Sequence, residues 1–403
     1  MYNYKSIFFK PSIVSSFFLL VGSLVSTQAL AVSVDIAAEF VPDATSPANN
    51  SFLNTTPNTG FCARLPMECK RDNLFSIQFS VETNEFDLEA NHADPRQGAM
   101  LKIFSDWKDV TVQNSSGNTE TVKFRMVAFG ARYRAPEGAY GGAWEGGDWR
   151  YPAGPCTFLG NILGNQYQLT FMWRTVSGAV CSKKALVDIN RFSFTELNFA
   201  YELIAPEPLN MGAGVYFGSV SYSLGPGQDI DFGDVLIPTD SLLNIDFTLG
   251  VSHIFNVQFP PGADRLTLIP AGGWQQWLQH GRRPEKLFAN QSFQIWSSTI
   301  FKMSLQCQYP VGNSCGIQNE DGDLVPVETR ATLPTGVMEL SGMAVNRHLL
   351  SNSNPSIFHP SQYVDNGRAM LHFEVSRDSV AQMTNHAGSL YSGNVTVVFD
   401  SDI

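Results

Sequence analysis

The sequence predicts an all-β protein built as two tandem β-sandwiches. Apolar residues recur with period two along most of the chain, and no long segment keeps a helical period. Turn residues, including 33 Gly and 22 Pro, separate the alternating stretches. The clearest alternation is Leu243, Ile245, Phe247, Leu249, Val251, His253, Phe255, Val257 and Phe259. The residues between are polar or Gly, except Ile254, which predicts one long half-buried strand over 243–259. Phe293, Ile295, Phe301, Met303, Leu305 and Cys307 mark one face of a second strand. Tyr167, Leu169, Phe171 and Trp173 mark a third, and Leu197, Phe199, Tyr201 and Leu203 a fourth. Val122, Phe124, Met126 and Ala128 mark a fifth.

The N-terminus carries an export signal. Lys5 and Lys10 precede an apolar run from Ile13 to Gly22, and Ala29-Leu30-Ala31 provides a small-x-small cleavage site. Residues 1–31 are therefore expected to be removed. No later run reaches the roughly 18 apolar residues of a membrane helix. The remaining 403 − 31 = 372 residues are too many for one compact core, so two domains are expected. A weak repeat supports this. Tyr216-Phe217-Gly218-Ser219-Val220-Ser221-Tyr222 and Tyr391-Ser392-Gly393-Asn394-Val395-Thr396-Val397 share a Tyr-x-Gly-polar-Val pattern. The turn-rich Gly225-Pro226-Gly227-Gln228-Asp229 follows the first copy. The expected domains are 32–235 and 236–403.

Without Lys5 and Lys10, 24 basic residues face 37 acidic ones, a net charge of −13. Such a chain repels nucleic acid and anionic membranes. Six Cys in an exported chain read as disulfides, and their order suggests Cys62–Cys69, Cys156–Cys181 and Cys307–Cys315. No spacing matches a zinc site, and neither a metal nor a cofactor is expected.

Residues 391–403 alternate to the end of the sequence. Tyr391, Gly393, Val395, Val397 and Phe399 share one face. A terminal strand has a free edge that must be covered, either within its own sandwich or by a strand from another chain. Three features together resemble chaperone–usher fimbrial proteins: the export signal, the tandem β-rich halves and the Tyr-x-Gly-x-Val-x-Val-x-Phe terminus. Asp231-Phe232-Gly233-Asp234, Gly272-Gly273-Trp274-Gln275-Gln276-Trp277-Leu278, Asn54-Thr55-Thr56-Pro57 and Gly60-Phe61-Cys62 extend the resemblance to a subgroup of large minor pilus subunits.

The resemblance implies immunoglobulin-like domains, the C-terminal one an incomplete pilin domain lacking its last strand. A periplasmic pilus chaperone would lend a strand beside Tyr391, Gly393, Val395, Val397 and Phe399. A neighbouring pilus subunit would replace it at an outer-membrane usher, on the way to a surface fimbrium. One departure is the penultimate Asp402, where better-known pilins carry an aromatic residue.

Two-domain members divide the work, so residues 32–235 are expected to bind a host receptor, a carbohydrate being the natural candidate. The stretch Tyr133 to Tyr151 is Gly-rich and holds Tyr140, Trp144, Glu145, Asp148, Trp149 and Arg150. On a loop, these rings would stack on a sugar and the charged groups would bond its hydroxyls. The alternative is that Trp144 and Trp149 fold back onto the sandwich. A competing role arises at the N-terminus, where Val32, Val34, Ile36, Ala38 and Phe40 alternate with more polar residues. Residues 32–41 would then be the donor strand of an internal or adaptor subunit. No hydrolase elbow or His-Glu-x-x-His motif is present, and no enzyme is expected.

Overall fold

The computed structural model describes residues 31–386 and 388–401. The predicted signal lies outside the described residues except for Ala31, and so do Asp402 and Ile403. The described chain is all-β, with four short helices, Phe61–Arg64, Pro66–Arg71, Gln275–His280 and Arg377–Met383.

The largest sheet has 12 strands and belongs to the N-terminal part. Its spine runs Leu53–Asn54, Ala31–Phe40, Leu242–Val251, Gly214–Ser223, Lys108–Asn114, Thr119–Arg134, Gln168–Arg174 and Thr157–Phe158. The long strand Thr119–Arg134 also pairs with Ile189–Ile204. Strand Ala31–Phe40 is parallel to Leu242–Val251, with Val34 opposite Ile245 and Phe40 opposite Val251. Alternation fixes this register: Val34, Ile36, Ala38 and Phe40 face the same core as Ile245, Phe247 and Leu249.

The expected single strand over 243–259 is two strands. Leu242–Val251 lies in the N-terminal sheet, and Phe255–Gln258 pairs with Leu287–Ser297 in a different one. The change of sheet falls at residues 252–254. The period-two pattern runs unbroken across this switch because both strands bury the same parity of residue. His253 sits at the switch, its Nε2 2.9 Å from the Met211 carbonyl and its Nδ1 3.2 Å from Ser298 Oγ. It thus bonds one residue from each side of the switch. Likewise, 293–307 is not one strand: Leu287–Ser297 and Phe301–Cys307 belong to different sheets.

The C-terminal part has a seven-stranded and a four-stranded sheet. The second runs Val337–Glu339, Ser356–Pro360, Phe301–Cys307 and Val395–Asp400. Phe293, Ile295, Phe301, Met303, Leu371 and Phe358 fill the core between the two sheets. Disulfides join Cys62 to Cys69, Cys156 to Cys181 and Cys307 to Cys315. Among the described residues, no helix is long and apolar enough to cross a membrane.

Candidate functional site

The segment 133–151 is not the open aromatic loop that its composition suggests. Trp144 and Trp149 are 1% and 2% exposed and stack into the core with Tyr133, Phe171, Trp173 and Phe192. They lie 4.6 Å from each other, centroid to centroid. Neither can offer its face to a ligand. Burying these rings removes a large apolar area from water, which outweighs the cost of leaving both indole N–H groups without a partner among the described residues. Tyr140 remains 64% exposed. Glu145 is exposed, whereas Asp148 and Arg150 are half-buried and 3.6 Å apart.

The residue that organises this loop is Lys183, which is 3% exposed. Its ammonium donates to the carbonyls of Glu145, Asp148 and Tyr151 at 2.8, 3.0 and 2.8 Å. Burial pulls its pKa down, while the Asp148 and Glu145 charges oppose that shift. The Cys156–Cys181 disulfide holds the base of the same region, two residues away. In sequence, Lys183-Lys184 reads as an ordinary surface pair, so nothing signalled this role.

The Asp231-Phe232-Gly233-Asp234 motif is structural. Arg96 donates to Asp231 at 2.8 Å and to Asp234 at 2.6 Å, and Asp231 is buried. Gly233 has φ +86°, and a Cβ there would lie 2.7 Å from the Arg96 carbonyl oxygen. Only glycine meets both conditions. His348 contacts Glu339 at 2.7 Å and Ser356 at 2.9 Å, in the order of a Ser–His–acid relay. Its ring packs edge-on against buried Phe358, so the trio closes the rim of the C-terminal core. Among the described residues, no group of three or more His, Cys, Asp or Glu could hold a metal ion.

The open feature of the C-terminal part is the edge beside Val395–Asp400. This strand pairs on one side with Phe301–Cys307, and it is the last member of its sheet order. Along its other side runs a groove of about 610 Å³. Gly393, Val395 and Val397 form one wall, and Ala263, Leu266 and Leu268 the other. The floor is Ile317, Val327, Leu371 and Phe373 from the seven-stranded sheet. Val395 and Val397 stay only half-buried, although their alternation suits a core.

The other two residues expected on this edge are engaged elsewhere. Tyr391 donates its hydroxyl to Asp323 at 2.5 Å, and burial with that bond pushes its pKa up to about 12. Phe399 packs on Phe293 at 5.5 Å. Gly393 lets the chain pass close to its neighbour, since a Cβ there would lie 2.7 Å from the Gly316 carbonyl oxygen. Sequence inspection identified the strand wall but missed Leu266 and Leu268 opposite it. They follow Pro260-Pro261 in a short segment outside any strand.

The described chain is thus an all-β protein with a closed N-terminal sheet edge at Leu242–Val251 and an open C-terminal one. No family model matches it, and no curated protein matches it. Among solved structures it is similar to the chaperone–tip adhesion subunit pre-assembly complex CsuC–CsuE from archaic chaperone–usher Csu pili of Acinetobacter baumannii. The match has 10% identity and a TM-score of 0.21, over 92% of this chain and 99% of that one. A likeness of this size carries no weight.

Proposed function

We propose that this chain is a chaperone–usher pilus subunit of the tip-adhesin kind. Its C-terminal half would be completed by a strand from another polypeptide, and its N-terminal half would bind a host or surface receptor. The observation that carries this is the groove beside Val395–Asp400, an apolar slot of strand width between two sheets. Among the described residues Val395–Asp400 pairs in a ladder with Phe301–Cys307 alone, and a strand added beside half-buried Val395 and Val397 would gain main-chain bonds for affinity and alternate pockets for side chains. The partners would be a periplasmic chaperone first, then a neighbouring subunit at the usher, with the fimbrium on the cell surface as destination.

One observation favours a tip position over an internal one. Residues 32–40, expected as the donor strand of an internal subunit, are paired with Leu242–Val251, and Ile36 is fully buried. A strand used in this way is not free to plug a neighbour.

Co-expression with periplasmic pilus chaperones tests the assembly role. A stable one-to-one complex is expected, and Val397→Asp should abolish it by placing a charge in the groove. If the unaltered chain is a soluble monomer that no chaperone retains, the assembly role is wrong. Deleting residues 32–41 should cause misfolding. A folded deletion variant that only fails to join its neighbour would instead indicate an internal subunit.

A further inference from the structure

A second cavity, of about 560 Å³, opens in the N-terminal half, lined by residues of the segment 50–54 and the chain 201–207. Its size is ordinary for a small-molecule site. The chemistry of its lining is specific. Phe52 and Phe75 present half-buried rings, and buried Tyr201 lies behind them, 6.2 Å from the Phe75 ring. Three amides converge on it, Asn50, Asn54 and Asn73. Asn54 is fixed in place: it donates to the Tyr201 hydroxyl at 2.9 Å and accepts from the Thr56 N–H at 3.0 Å. Asn50 donates to the Ser361 carbonyl at 3.1 Å, while its own Oδ1 is buried with no hydrogen-bond partner. Asn73 makes no side-chain hydrogen bond among the described residues.

These features exclude most ligand classes. No Lys, Arg or His lines the cavity, so a phosphate, sulfate or acidic sugar would lack a counter-charge and would face Glu207. A purely apolar ligand would leave the Asn50 acceptor unpaired, which is costly. The negative charge of Glu202 is already matched by Arg125, which donates to it at 2.5 Å. What remains is a neutral molecule with an apolar face for the rings and a rim of hydroxyls that both donate and accept. We infer that this cavity is a binding site for a neutral saccharide, seated on Phe52 and Phe75 and hydrogen-bonded by Asn50, Asn54 and Asn73. This rests on the N-terminal half being the receptor-binding part, and it moves the site from the 133–151 loop to the cavity lined by residues 50–54 and 201–207.

The test is an array of neutral and acidic oligosaccharides probed with the full chain in complex with its chaperone, or alone if none is retained. The variants are Asn73→Asp, Phe75→Ala and, outside the cavity, Tyr140→Ala. Asn73 has φ +49°, which Asp tolerates, so Asn73→Asp should fold normally while adding a charge. The expected result is binding of neutral glycans, weakened at least about tenfold by Asn73→Asp and Phe75→Ala and unchanged by Tyr140→Ala. Binding of acidic glycans alone, or neutral binding lost only with Tyr140→Ala, overturns the cavity assignment but leaves a receptor-binding half. Binding of no glycan overturns the saccharide assignment. Chaperone retention is read separately, so the assembly role is judged independently.

Discussion

Replacing Lys183 with Met tests whether the 133–151 segment is a packed lid held from below. Met keeps the stem's packing and removes the ammonium. Three carbonyls, those of Glu145, Asp148 and Tyr151, then lose their donor. Hydrogen bonds to a charged donor contribute roughly 1.5–3 kcal/mol each. The sum overstates the loss, because Lys183 is 3% exposed and burying its charge already costs part of that gain. Glu145 and Tyr151 are exposed, so water can reach their carbonyls once the ammonium is gone. The net loss is expected to be about 3 kcal/mol. In a core of this size that lowers Tm by roughly 6–12 °C. Urea unfolding followed by tryptophan emission reads this directly, since Trp144 and Trp149 belong to that segment and Trp173 stacks on Trp149. Arg should not rescue, because its planar fork cannot aim at three carbonyls arranged around a point charge. Tyr140→Ala, at an exposed position, should change stability by less than about 0.5 kcal/mol. A Lys183→Met loss below about 1 kcal/mol would refute the lid and reopen the loop as a mobile binding element.

Two further outcomes are expected. Arg96→Ala leaves buried Asp231 without its partner and should cost about 3–5 kcal/mol, whereas adding Asp231→Asn should recover part of it in denaturant unfolding. His253 should make the fold acid-sensitive. Burial lowers its pKa, while its bonds to Met211 and Ser298 oppose the shift, so between the free-imidazole value near ~6.5 and the lower folded value the unfolded chain binds more protons. Stability is therefore complete above that range and falls as pH drops through it, by at most ~1.4 kcal/mol per pH unit per proton. His372, whose pKa is lowered by burial and then by Arg347, adds to the same trend. Unfolding at pH 7 and pH 5.5 should show this, with a smaller difference in His253→Gln; an equal difference in both proteins would rule out His253 as the cause.

Local structure was legible from the sequence and assembly of the sheets was not. Period two correctly marked parts of Thr119–Arg134, Ile189–Ile204 and Gln168–Arg174, although these strands bury both faces over much of their length, with Ala128, Met172 and Ala200 in a second cluster. It could not reveal that the pattern over 243–259 passes from one sheet to another, since parity survives the crossing. Nor could it reveal the orientation of Trp144 and Trp149. Glycines around them permit a loop facing either way, and the core cavity that receives them is built by strands distant in sequence. The parallel partner of Ala31–Phe40 lies some two hundred residues further along the chain. Its alternation reads the same whether it is inserted at home or lent to a neighbour. The cavity between 50–54 and 201–207 was hidden for the same reason, although Asn54 had been noted within its motif.

The two Tyr-x-Gly-polar-Val segments show what separates the halves. In the first, Tyr216 to Tyr222 lies within strand Gly214–Ser223, and Leu242–Val251 pairs antiparallel along it. Leu243, Ile245, Phe247 and Leu249 there fill the core at every second position, and Ala31–Phe40 covers the next edge. In the second, the copy from Tyr391 to Val397 leads into strand Val395–Asp400, and the groove takes the place of that neighbour. Among the described residues, similar local sequence therefore leads into a strand with neighbours on both sides in one half and into the last strand of a sheet in the other. Intrinsic strand propensity cannot account for the contrast, because it is nearly the same in both copies. The difference lies in the neighbour: an alternating apolar strand in the first half, and in the second a groove whose lining includes Ile317, Val327, Leu371 and Phe373. The first half takes such a segment from its own chain: Leu242–Val251 lies along the copy, and Ala31–Phe40 lies beside that strand in turn.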